Sequence, residues 1–235
     1  MLQARAGESR VDEQDLLYFS RVLAAQCHEL ANALNIAHQL CGLHEDTLAQ
    51  TGEANAAMGK LGGMVQRIDA QINRGTAILR NLSRFAHSVD EPMAACDLRD
   101  TLERAVFFAA RQARLHRIEL QAALPEGDVP VVHAGPFRLQ QLIHCAIEVL
   151  LEGIPEGGRI NAGLTFDSAG ARIALEIANP PAHHIAGAER LAEIAAWARA
   201  AGGELLDAGE SRGLLLILIP YDHRDPALVE VVDAD

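Results

Sequence analysis

The chain has 235 residues, 49% of them hydrophobic but only 4% aromatic, and a formal net charge of −12. That length fits one large domain or two small ones, and the aliphatic and alanine content suffices for a packed core. The acidity argues against nucleic acid as the main partner, which would need Lys and Arg clustered against phosphate.

From Val11 to Glu45 the pattern is helical. Leu16, Leu23, Leu30 and Ala37 recur by sevens, and Cys27, Leu34, Cys41 and Leu48 form a second seam, which together make a heptad pattern. A polar stretch, Asp46 to Glu53 with Gly52 as breaker, predicts the turn into a second helix. That helix repeats Met58, Leu61, Val65, Ile68, Ile72, Gly75, Leu79, Leu82 and Ala86 at alternating spacings of three and four, and it ends near Ser88, ahead of Pro92. Residues 11–88 therefore read as an antiparallel helical hairpin. One hairpin cannot bury such a seam alone, so a homodimer closing a four-helix bundle is expected.

Beyond Pro92 the period changes. Asp97 to Arg114 reads as a helix with Asp97 as N-cap, and Ile118 to Leu124 and Val131 to His133 read as strands. Pro136 opens a helix that runs to Glu152. Pro155-Glu156-Gly157-Gly158 turns into a strand from Arg159 to Phe166, and Asp167-Ser168-Ala169-Gly170 is a hairpin turn into Arg172 to Ile177. Gly187 to Ala201 is helical, Gly202-Gly203 stops it, and Leu214 to Ile219 is a buried strand. The expected fold class is α+β: the hairpin, then a two-layer α/β sandwich over 93–222, then an acidic tail over 223–235.

No apolar run approaches the roughly 20 residues that span a bilayer, and the opening MLQARAGESRVDEQD holds no apolar signal core. A cytoplasmic protein with no membrane partner is expected. Cys27, Cys41, Cys96 and Cys145 lie in no metal-ligand spacing and read as free, mostly buried thiols.

At about 100° per residue, His28 points away from the stripe of Leu23, Leu30 and Leu34, on a polar face shared with Asn32 and Asn35. Phosphoryl transfer to imidazole needs an accessible, unprotonated nitrogen and a neighbour that orients the ring. Glu29 is placed to accept a proton, and Asn32, one turn on, to position a water or a phosphoryl oxygen. The plain alternative is a solvated surface histidine beside a casual acid. A zinc site of the HExxH kind is excluded, because Asn32 stands where the second histidine would be, and no resident metal is expected. His38, His44 and the His183-His184 pair have no ligand spacing.

The stretch Cys27-His28-Glu29-Leu30-Ala31-Asn32-Ala33-Leu34 resembles the phosphoacceptor box of two-component histidine kinases. Arg74 to Phe85 resembles the end of their second dimerisation helix. Asp97-Leu98, Ile118 to Pro125, Arg138 to Ile143 and Gly157-Gly158-Arg159-Ile160 resemble their ATPase domain in order. The resemblance covers residues 15 to 221 and implies a sandwich of the histidine-kinase ATPase type. Three departures set this chain apart. Where that family has two Asn residues on the nucleotide helix, one for magnesium, this chain has Cys145 and Val149, neither suited to a hard cation. The adenine-reading Asp-x-Gly-x-Gly loop is replaced by Ala178-Asn179-Pro180-Pro181-Ala182, and the second Gly-rich loop is reduced to Gly187. The combination resembles the ChpT-type histidine phosphotransferases, dimeric proteins with a kinase-like hairpin and a degenerate ATPase-like domain.

The resemblance implies phosphoryl relay through His28 to and from receiver-domain aspartates of response regulators, with no cofactor and ATP-Mg binding lost. Two other readings stay open: an ATP-dependent sensor kinase with divergent boxes, and a non-catalytic adaptor or phosphatase that binds receivers. The same helical arithmetic puts Gly59, Gly63, Ala70 and Ala77 on the outer face of the second helix, where small residues let a receiver helix approach. Asn35 and Gln39 extend that surface on the first helix.

Overall fold

The computed structural model describes residues 2–50, 54–89, 94–127, 131–179, 187–207 and 214–220, with side chains throughout except at 2–14, 45–50, 54–60, 94, 207 and 214. The chain divides into two compact units, Met1–Ala86 and His87–Asp235.

The first unit is a pair of helices, α1 (Leu2–Gln50) and α2 (Ala54–His87). Helix α1 runs past the expected end at Glu45, because Asp46-Thr47-Leu48-Ala49-Gln50 contains no glycine or proline to stop it. The turn residue Gly52 lies outside the described residues, as do the side chains of Leu48 and Gly59. Cross-helix pairs fix the antiparallel sense, since partner numbers fall on α2 as they rise on α1. The Phe85 ring meets Tyr18 edge-on at 5.8 Å and stacks on Phe19 at 5.3 Å. Further along, Glu29 pairs with Arg74, and a Cβ added at Gly75 would stand 3.3 Å from Leu30 Cδ1. Glycine at position 75 thus lets the helices approach.

The heptad residues divide between two faces. Tyr18, Val22, Gln26, Ala33 and Leu40 on α1 are buried with Gly75, Ile78 and Phe85 on α2, and these close the pair. Leu16 stays 68% exposed, Leu34 56%, Ile72 53% and Leu79 53%, although the sequence pattern places them in the seam as well. Counting about 100° per residue, the open stripe lies roughly 120° round α1 from the closing seam. A helix pair has only one mutual face, so a pattern hydrophobic on two faces leaves one of them open. Cys27 and Cys41 fall on the open stripe and are exposed, which corrects the expectation of mostly buried thiols; Cys96 and Cys145 are buried.

The second unit begins with β1 (Ala94–Asp97) and α3 (Leu98–Leu115), followed by β2 (Glu119–Ala123), β3 (Val131–Ala134) and α4 (Pro136–Gly153). Strands β4 (Arg159–Asp167) and β5 (Gly170–Ala178) precede α5 (Ala188–Ala200), β6 (Glu204–Asp207) and β7 (Leu214–Pro220). The main sheet has the order β2-β4-β5-β7-β6, and β1 pairs with β3 in a separate two-stranded sheet. Strands β2 and β4 are parallel, and the other pairs are antiparallel. Asp97 caps α3 as expected, its carboxylate accepting from the backbone N–H of Arg99 at 2.8 Å and of Asp100 at 3.3 Å. Gly170 closes the β4–β5 turn at φ +150°, where a Cβ would fall 2.8 Å from Pro220 Cα.

Alternate residues of the sheet, among them Ile160, Ala162, Ile173, Leu175, Leu215 and Ile217, join α3 and α4 in one apolar core. Helix α4 is buried almost all round, including Gln140, Gln141 and His144. Arg104 on α3 is buried too and is satisfied there, donating from Nε to Gln140 Oε1 at 3.2 Å and pairing with Asp100. No helix among the described residues is long and apolar enough to cross a membrane. The expected tail over 223–235 lies outside the described residues.

Candidate functional site

Helix α1 carries three faces about 120° apart at 100° per residue: the closing seam, the open apolar stripe, and a polar face. On the polar face His28, Asn35 and Gln39 are exposed and Asn32 is half-buried. His28 therefore projects from the helix pair, with its ring reachable from solvent. On the outer face of α2, Gly63 and Ala70 are exposed, with nothing within 4 Å of a Cβ built at Gly63.

Glu29 sits one step round the helix from His28, at the edge of the closing seam, and its side chain is only 12% exposed. Its carboxylate is held by the Arg74 guanidinium from α2. Adjacent residues on a helix point about 100° apart, so Glu29 and His28 project on different sides of α1. Sequence reading placed Arg74 only within a helix end; its partnership with Glu29 spans 45 residues and left no local signal. Arg74 stays 42% exposed, so the pair contributes at most about 1 kcal/mol to stability.

The Arg74 pairing fixes where the Glu29 carboxylate lies. If the phosphotransfer expectation holds, Arg74→Ala should leave the unfolding midpoint almost unchanged while slowing phosphoryl transfer about 10-fold or more, as a misdirected acid–base group does. Arg74→Lys, which keeps the charge, should recover part of the rate. A transfer rate in Arg74→Ala equal to wild type would leave the pair a purely structural contact.

In the second unit, Cys145 and Val149 are buried on α4, and Val149 belongs to the apolar core. Neither side chain offers a carbonyl or carboxylate oxygen. Asn179, after β5, takes a left-handed φ of +61°. Pro180, Pro181 and Ala182 of the replaced loop and the His183-His184 pair lie outside the described residues. Gly187 opens α5 with no side-chain cap. Cys96 is buried with its Sγ 3.2 Å from Thr101 Oγ1, and burial pushes its thiol up, which suits an inert core residue.

No protein-family model matches the chain. Over 114 residues it is 32% identical to the C4-dicarboxylate transport sensor protein DctS of Rhodobacter capsulatus; the match spans 48% of this chain and 17% of that protein. The cytoplasmic segment of histidine kinase QseC is similar at 16% identity and a TM-score of 0.44, over 64% of this chain and 95% of that one. Histidine kinase AdeS of Acinetobacter baumannii is similar at 13% identity and a TM-score of 0.45, over 83% of this chain and 98% of that one. Histidine kinase ThkA, solved in complex with the response regulator protein TrrA, gives 13% identity and a TM-score of 0.44 over 94% of this chain and 67% of that one. Likenesses this remote carry no inference about activity.

Proposed function

We propose that the chain is a dimeric histidine phosphotransfer protein of a two-component phosphorelay, passing a phosphoryl group through His28 between receiver-domain aspartates. The observation that carries this reading is an exposed imidazole on a helical pair, next to a carboxylate clamped by Arg74 and one turn from Asn32. In the forward step the P–O bond of an aspartyl phosphate breaks, a P–N bond forms at His28, and the imidazole proton leaves. Glu29 steers the ring and accepts that proton. Asn32 directs a phosphoryl oxygen or a water, so its removal bears chiefly on hydrolysis.

The open stripe of Leu16, Leu23, Leu34, Val65, Ile72 and Leu79 supports a second copy as its cover. Apolar rows on two adjacent antiparallel helices are what a four-helix bundle buries, and the polar faces remain outside it. The receiver docks on the outer surface formed by Asn35 and Gln39 of α1 and Gly63 and Ala70 of α2. Gly63→Trp and Ala70→Trp are expected to block receiver binding while leaving the dimer's mass unchanged. Unchanged receiver affinity in both variants would move the docking site elsewhere.

The reading assigns the second unit a scaffold role without ATP-Mg. Cys145 and Val149 on α4 support it, because magnesium takes oxygen ligands and one of these two side chains is core hydrocarbon. Calorimetry with ATP and magnesium is expected to give no binding heat. Micromolar, magnesium-dependent binding would restore the kinase reading.

A further inference from the structure

Helix α4 brings together three side chains to which the phosphotransfer reading gives no chemical role. His144 and Cys145 are 7% and 6% exposed, and the Glu148 side chain, one turn on, is 15% exposed. One ligand atom from each (an imidazole nitrogen, the Cys145 Sγ and a carboxylate oxygen) lies within 4.8 Å of the other two. His144 Nδ1 stands 4.0 Å from Glu148 Oε2. Positions i and i+4 share a helix face, and Cys145 closes from the neighbouring one.

We propose that His144, Cys145 and Glu148 bind a divalent transition-metal ion, zinc foremost, with solvent completing the coordination. The donor set decides the class of ion. A thiolate and an imidazole exclude magnesium and calcium, which take oxygen, and suit the borderline cations that accept nitrogen, sulfur and oxygen together. Charge points the same way. On binding, a dication balances the negative charge of the deprotonated thiol and the carboxylate.

The distances are within reach. Bonds of about 2.0–2.3 Å in a tetrahedral site put donor atoms roughly 3.4–3.6 Å apart. Side-chain rotation of about an ångström closes the observed spacings to that range. On binding, metal–nitrogen, metal–sulfur and metal–oxygen bonds form, and the Cys145 thiol proton leaves to solvent. The half-buried Glu148 gives the cluster its opening to solvent. All three donors come from a single helical turn, at positions i, i+1 and i+4.

The test uses the full chain, stripped with a chelator and titrated with zinc chloride or with cobalt(II) as a spectroscopic stand-in. One ion per chain is expected, with a sulfur-to-cobalt charge-transfer band in the near ultraviolet and a zinc-dependent rise in Tm. Cys145→Ala should remove the band. Glu148→Gln should weaken zinc binding by about 10-fold or more and cancel the rise in Tm. Glu148 lies at the edge of the core, so this second variant decides the matter even if a change at Cys145 unfolds the chain. A cobalt spectrum without thiolate ligation would place the metal elsewhere, and wild-type zinc affinity in Glu148→Gln would remove Glu148 from the ligand set; either result overturns the proposal.

Discussion

His28→Ala is expected to abolish phosphoryl uptake from a phosphorylated receiver while leaving the fold intact. The side chain is exposed on a long helix, and alanine is the best helix former, so the stability change should fall within about 0.5 kcal/mol. On the phosphotransfer reading, the reaction by contrast loses the atom that accepts the phosphoryl group. Phosphoramidate on imidazole is acid-labile and base-stable, so the wild-type label should survive alkali and vanish in acid. Glu29→Ala should slow transfer by roughly 10²–10⁴-fold rather than end it, the usual weight of general acid–base help. Label persisting in His28→Ala, or mapping to His38 or to the buried His144, would contradict the assignment.

Ile72→Glu carries the second large effect, on assembly. In a single chain Ile72 is 53% exposed, and a glutamate there would cost almost nothing. Covered by a second copy, each carboxylate is buried without a partner, and the twofold axis of a homodimer introduces the change twice. A penalty of about 3 kcal/mol or more raises the dimer Kd at least 100-fold. Light scattering at micromolar concentration should therefore show a wild-type dimer and an Ile72→Glu monomer with unchanged helicity. A wild-type monomer, or a variant that remains dimeric, would remove the four-helix bundle from the account.

Much of the architecture is legible in the residues because local signals coincide with it. Asp97 before an apolar period, Pro136 at a first turn, and the Asp167–Gly170 hairpin each specify their element without tertiary help. Strands β1 and β6 are four residues each and lack alternation long enough to register, so only their pairing partners define them. The seam of the helix pair is a different kind of gap. Leu23, Leu34, Ile72 and Leu79 repeat as regularly as the residues that close the pair, and periodicity cannot say which stripe meets which partner. At the site, the polar face of His28 and Asn32 follows from helical arithmetic alone. The Arg74 clamp on Glu29 does not, because it depends on where two helices bring side chains together, and the α4 donors, though on one turn, read as positions of an apolar core helix.

The most direct test of the account is the source of the phosphate. The purified chain is incubated in parallel with radiolabelled ATP and magnesium, and with a receiver domain already phosphorylated on its aspartate. The account predicts no label from ATP and rapid, acid-labile label from the receiver, lost in His28→Ala. Label from ATP alone, or none from any phosphorylated receiver, would contradict it.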